Sequence, residues 1–151
     1  MTKQVEVGLS PRGFSLRLAT WKDDAAMLRD VRRRVFVREQ NIPEELEWDE
    51  HDTVSLHVLA LDAEGHAIGT ARLLADGHLG RVAVLKNQHG KGVGSELIKY
   101  LILLNKNRGA KEAVLSAQIN AIPFYASHGF VAEGEEYLDA DIPHRLMRLV
   151  Y

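Results

Sequence analysis

The sequence has no cysteine among its 151 residues. That excludes a disulfide framework and a thiolate nucleophile, and it removes the best zinc ligands, so no metal is called for. The absence is compatible with a reducing cytosol, and a cytoplasmic location is expected. No apolar run approaches the roughly 20 residues that a membrane helix needs. Positions 1–12 are mixed and polar, with no apolar stretch of the kind a signal peptide carries. A membrane is therefore not an expected partner. Neither sign of charge dominates. The formal net charge of −2 gives no reason to expect nucleic acid. Internal repeats and low-complexity tracts are also missing.

What is present is an ordinary globular composition, with 46% apolar and 26% charged residues. A chain of this length suits a single domain over 1–151, with 1–12 as a loose lead-in.

The chain is organised around residues 80–106. Arg81-Val82-Ala83-Val84-Leu85 is a short β-favouring run. His89-Gly90-Lys91-Gly92-Val93-Gly94 follows. Beyond it, Val93, Leu97, Leu101 and Leu104 recur at helical spacing, widened by Ile98 and Ile102. A helix that starts inside a glycine-rich turn presents N–H groups with no intrahelical partner and the positive end of its dipole. Its natural guest is an anion, most often a phosphate, and Lys91 adds a formal charge. The spacing fits neither a Walker A loop, since Gly90-Lys91 runs into Gly92, nor Gly-x-Gly-x-x-Gly, whose last place falls on Ser95 or Leu97.

The rest of the chain supplies the frame. Phe14, Leu16 and Leu18 alternate as a first strand, and Thr20 with Asp23 forms a capping signal for a helix closing on Val35 and Phe36. Arg29, Arg32, Arg33, Arg34 and Arg38 read as a solvated basic face. Pro43 can open a short helix. The segment 39–52 carries seven acidic residues around Trp48. It reads either as a solvated loop or as a pocket wall attracting a cationic amine. Strands follow at 55–61, 67–74 and 79–85, joined by turns at Asp62-Ala63-Glu64-Gly65 and Asp76-Gly77. Gly109 is placed to end the long helix. Residues 112–117 are apolar on both faces, as in a central strand. Asn120 can cap a short helix with Pro123 in its first turn, and Gly129 ends it. Strands beginning at Phe130-Val131 and spanning 145–151 complete a mixed α/β order with a mostly antiparallel sheet.

Two motifs in this order resemble the GCN5-related N-acetyltransferases. His89-Gly90-Lys91-Gly92-Val93-Gly94 is similar to that family's Gln/Arg-x-x-Gly-x-Gly/Ala, with His in the leading position and Gln88 just before it. Asn120, followed by Phe124-Tyr125 and Gly129-Phe130, resembles its Asn…Phe-Tyr-x-x-x-Gly-Phe segment. The runs Val35-Phe36-Val37-x-Glu39-Gln40 and Ile142-Pro143-His144 look like the bacterial ElaA-type subgroup.

The resemblance implies an acyl-CoA N-acyltransferase fold of α+β type, with helices flanking the sheet. It also implies transfer of acetyl from acetyl-CoA to a primary amine by direct attack. Val82 and Val84 would offer backbone groups to the pantetheine arm, and Val82 or Ala83 would supply the N–H that meets the oxyanion. His89, Gly90, Lys91, Gly92, Val93, Gly94 and Ser95 would surround the diphosphate. Asn120 would bond the arm and Phe124 would pack on it. Tyr125 would be the general acid, since a phenol with a pKa of roughly 10 is protonated at neutrality.

For the general base, Glu39, Asp49, Asp52, His57 and His144 are the candidates, with His144 and Glu39 foremost. Histidine titrates near neutrality, which suits the task. The acceptor is a small-molecule or protein amine. Two rival readings remain: a non-catalytic CoA-binding or interaction module on the same fold, and a subunit working as a homodimer through the exposed face of a C-terminal strand.

Overall fold

A computed structural model of the chain describes residues 6–7, 13–43 and 49–151. Its strands are β1 (Glu6–Val7), β2 (Phe14–Ala19), β3 (Leu56–Asp62), β4 (Ala67–Leu73), β5 (His78–Val84), β6 (Glu112–Gln118), β7 (Val131–Asp139) and β8 (Ile142–Val150). They form one sheet in the order β1-β2-β3-β4-β5-β6-β8-β7. Every described pairing is antiparallel except β5 with β6. The α-helices are α1 (Trp21–Arg32), α2 (Val93–Asn107) and α3 (Ile122–Ala126).

The expected mixed sheet is therefore the observed one. The lead-in departs from expectation, because Glu6 and Val7 pair with Arg17 and Leu16. Residues 1–5 and 8–12 lie outside the described residues, as do 44–48. The latter take with them Trp48, the acidic Glu44, Glu45 and Glu47, and the short helix expected after Pro43.

α1 starts as its sequence dictates. Thr20 accepts from the Asp23 amide at 3.1 Å, and Asp24 at the positive end of the helix takes Arg17 at 2.9 Å. It does not stop where α-periodicity ends. The chain continues as a π-helix over Arg33–Glu39, and the Gln40 amide bonds to the Val35 carbonyl five residues back. This wider turn buries Val35 and Phe36 against Ala83 and carries Gln40 inward.

α2 buries Val93, Leu97, Ile98 and Leu101 on the other face of the sheet. Each fully buried aliphatic side chain contributes about 1.5–3 kcal/mol. Its close approach depends on Gly69. A Cβ there would stand 3.0 Å from Val93 and 3.3 Å from the Ala83 carbonyl, so a side chain would push the helix off the sheet. Alternation along β5 assigns the two layers, with Ala83 turned to the π-helix and Val82 and Val84 to the α2 core.

Two irregularities of β5 shape the space beside it. Its parallel pairing with β6 is confined to His78↔Val114 and Leu79↔Leu115. Beyond Leu79 the strands part, while β5 stays paired to β4 and β6 to β8. Against β4 the register slips between Gly80 and Ala83, leaving Arg81 and Val82 opposite the single residue Ala71. Arg81 sits there at φ 49°, in the left-handed region. Such bulges beside a parting of strands re-aim backbone and side chains.

Candidate active site

The parting of β5 and β6 opens a cleft of about 330 Å³. Leu79, Gly80, Arg81 and Val82 form one wall and Leu115, Ser116 and Gln118 the other. From the π-helix side Phe36, Gln40 and Ile42 close it, and Gln118 Nε2 donates to Gln40 Oε1 at 2.7 Å. Tyr125 and His144 also line it.

At the end of β5 the chain turns through Lys86–Gln88 and the glycine-rich segment into α2. Gly90 and Gly92 adopt φ 79° and 84°, values that favour glycine. Gly92 is the N-cap of α2 and makes no side-chain capping bond, in contrast to Thr20 on α1. Val93, Gly94 and Ser95 therefore begin the helix with N–H groups that have no preceding carbonyl within it. Among the described residues, no side chain caps the expected anion cradle.

His89 behaves differently from the Gln or Arg of the related motif. Its amide bonds to the Lys86 carbonyl, and its ring donates from Nε2 to the Val84 carbonyl at 2.9 Å. The ring thus ties the loop back to its own strand. Lys91 Nζ donates to Gln88 Oε1 at 3.2 Å.

Phe124 and Tyr125 are set by α3, which packs beside the first turn of α2. Phe124 lies 3.4 Å from the position a Gly94 Cβ would take, so glycine is what allows the two elements to meet. Its ring meets Tyr125 edge-on at 5.0 Å and His128 at 5.2 Å. Burial pushes the Tyr125 phenol up to about 12. Asn120 is exposed and does not cap α3, whose N-cap is Ala121 with no side-chain bond. The cap reading is thereby overturned. The chain enters α3 through a 3₁₀ turn over Ile119–Ala121, which puts Ala121 where the cap would be.

The base candidates separate by geometry. His144 is about nine-tenths buried at the cleft, and its Nδ1 donates to the Ile142 carbonyl at 2.6 Å. In the neutral ring this leaves Nε2 as the acceptor. Glu39 is exposed at the end of the π-helix and is not among the cleft residues, whereas Gln40 beside it is.

Asp52 is fully buried and gripped by Arg32 at 2.8 and 3.3 Å, with Arg72 at 3.1 Å. Burial opposes its ionisation, yet the bond and charge of Arg32 outweigh this, and the carboxyl lies below its ordinary value. Asp49 takes Arg72 at 2.7 Å and Arg81 at 3.3 Å. Both carboxylates are thus engaged by guanidinium groups. Arg32 leaves the solvated basic face that sequence periodicity implied, because only a buried cation balances a buried Asp52.

His57 is buried too, and its Nε2 donates to the Asp52 carbonyl at 2.8 Å. Burial holds its imidazole below the usual value despite that bond. It packs 5.6 Å from Trp21 and does not line the cleft.

Gln40, Ser116, Gln118 and Arg81 are cleft residues that sequence reasoning did not single out as functional. Gly134, an isolated glycine in a strand, was a readable signal for an irregularity that bears on His144.

A sheet whose one described parallel pair parts beside an uncapped, glycine-led helix defines a chain that can admit an extended, phosphate-bearing ligand. The acetyltransferase (GNAT) domain family matches residues 18–151. An uncharacterized N-acetyltransferase of Bacillus subtilis, YjcF, is 42% identical over 121 residues, covering 78% of this chain and 86% of that protein. Among solved structures, an acyl-CoA N-acyltransferase from Pseudomonas aeruginosa superposes with a TM-score of 0.81 at 30% identity, over 91% of this chain and 99% of its own. Escherichia coli ElaA does so with a TM-score of 0.79 at 28% identity, over 90% and 99%. The chain belongs to the GNAT acetyltransferase family. Among the described residues, no helix is long and apolar enough to cross a membrane.

Proposed function

We propose that this protein transfers the acetyl group of acetyl-CoA to a primary amine by direct attack. The observation that carries the reading is the parting of β5 from β6 beside the uncapped start of α2. A slot between strands suits an extended arm, and exposed helical amides suit a diphosphate. Acetyl-CoA supplies the thioester carbonyl and a sulfur leaving group. All other roles fall to side chains and backbone of this chain.

The amides of Val93, Gly94 and Ser95, with Gly90 and Gly92 allowing close approach, hold the diphosphate. Lys91 adds charge at the same place. Val82 and Val84 present backbone to the arm, although the Val84 carbonyl is already taken by His89. Asn120 reaches the arm from outside, and Phe124 packs against it. Val82 is the better oxyanion donor of the two candidates, because it lies in the bulge while Ala83 is paired to Thr70.

His144 Nε2 takes the proton of the attacking amine. Tyr125 lines the cleft that the sulfur would enter. A phenol near 12 holds its proton more tightly than a thiol near 8.5, so outright transfer runs uphill. Tyr125 therefore serves as an O–H donor that stabilises the sulfur anion and keeps its own proton. The thiolate takes a proton from water as product leaves, and His144 returns the amine's proton to solvent.

The test is thiol release from acetyl-CoA across a panel of primary amines, followed by mass analysis of the acceptor. An amine-dependent rise in free CoA with a 1:1 acetylated product is expected. CoA binding with no release from any amine would refute catalysis and leave a binding module.

A further inference from the structure

We propose that Tyr137 is the positioning residue that holds His144 in its reactive orientation. The proposal rests on the reading of His144 as the base. Tyr137 lies opposite His144 in the β7–β8 pairing. Its ring stacks on the imidazole, with centroids 6.1 Å apart and planes 23° from parallel. Its hydroxyl is hydrogen-bonded to Ser116, a cleft residue of β6. The side chain thus crosses β8 and is pinned at its far end on the strand that forms the cleft wall.

A register change in β7 creates this arrangement. Val131, Ala132 and Glu133 pair with Arg148, Met147 and Leu146, whereas Tyr137, Leu138 and Asp139 pair with His144, Pro143 and Ile142. Two extra residues of β7 are absorbed between Glu133 and Tyr137. Without them, Glu135 would stand opposite His144. Gly134 takes φ 73° at the irregularity, and Arg145 donates to its carbonyl from Nε at 3.1 Å and from Nη2 at 2.8 Å. The bulge is therefore clamped, and an aromatic ring replaces a carboxylate beside the imidazole.

The His144 ring has two restraints on its plane. The Nδ1 bond to Ile142 sets which nitrogen carries the proton, and the Tyr137 ring limits rotation about the bond to Cβ. With the ring gone, Nε2 loses its aim while Nδ1 keeps its partner. Tyr137 is 41% exposed, so its replacement opens no core cavity.

The experiment compares Tyr137→Phe, Tyr137→Ala, His144→Gln and the Ala/Gln double variant, each checked for CoA-induced thermal stabilisation. Tyr137→Ala should lower kcat by about tenfold to a hundredfold, the effect of a misaimed catalytic group, with KM for acetyl-CoA unchanged. Tyr137→Phe, which keeps the stack, should recover most of that loss. In the His144→Gln background Tyr137→Ala should cost nothing further, since a residue acting through His144 has nothing left to orient.

Wild-type kcat in Tyr137→Ala overturns the proposal, as does a full additional loss in the double variant. Wild-type turnover in His144→Gln is a different failure. It removes His144 as base, and the role of Tyr137 falls with it.

Discussion

Arg32 and Asp52 meet at 2.8 Å with both side chains about 1% exposed, tying α1 to the 3₁₀ turn over Glu50–Thr53. Removing one partner of a buried ion pair leaves the other charge without compensation, at a cost of about 3–5 kcal/mol. Asp52→Asn should lose about that much in urea unfolding at neutral pH. The Asp52 carboxyl is held below its ordinary value in the folded chain. Its contribution is thus complete above the unfolded value near 3.9 and is lost as pH falls through the folded one. The gap between wild type and Asp52→Asn should therefore narrow in strong acid. An equal gap at neutral and strongly acid pH would contradict the pairing.

The Gln118–Gln40 bond spans the opening between β6 and the π-helix, on the face of the sheet away from α2. Substituting Gln118 by Ala should raise KM for the amine several-fold and leave CoA affinity unchanged, because the proposed diphosphate cradle is at the α2 mouth. A net hydrogen bond of this kind is worth about 1 kcal/mol, or roughly a fivefold effect. Isothermal titration with CoA and steady-state kinetics with the amine check it. A change confined to CoA affinity would place the acceptor elsewhere.

Tyr125→Phe should reduce kcat by about a hundredfold, in the range typical of a lost donor to developing charge, with CoA affinity retained. Burial holds the phenol near 12, so turnover should show no alkaline loss from this group at the ordinary tyrosine value of about 10. An alkaline limb near that value that disappears in the Phe variant would show the phenol to be exposed when it works.

Much of this was legible in the chain. The glycine run and the stripe from Val93 to Leu104 locate α2, because both depend on residues close in sequence. Thr20 and Asp23 locate the start of α1 for the same reason. What escaped depends on distant partners. Arg32 reads as solvated until Asp52, twenty positions away, comes under it. Nothing local marks Arg81 for a positive φ, since the slip arises from the competing demands of β4 and β6. The π-helix is hidden because Val35 and Phe36 satisfy an α-helical stripe as well as a π one. Tyr137 gains its place only through the two-residue offset after Gly134.

The most direct measurement is the thermal stability of the wild type and Gly90→Asp with and without CoA. A Cβ at Gly90 meets nothing within 4 Å, and Asp tolerates the left-handed region better than most residues. The strain at φ 79° should therefore lower the variant's own Tm without preventing folding, and the comparison is made on the CoA-induced shift. Its carboxylate would stand in the proposed diphosphate site. CoA at about a hundred times its Kd should stabilise the wild type by about 2.7 kcal/mol, a rise of several degrees in Tm. Gly90→Asp should show little or none of that rise. Equal stabilisation of both proteins, or none of the wild type, would contradict a diphosphate site at the mouth of α2.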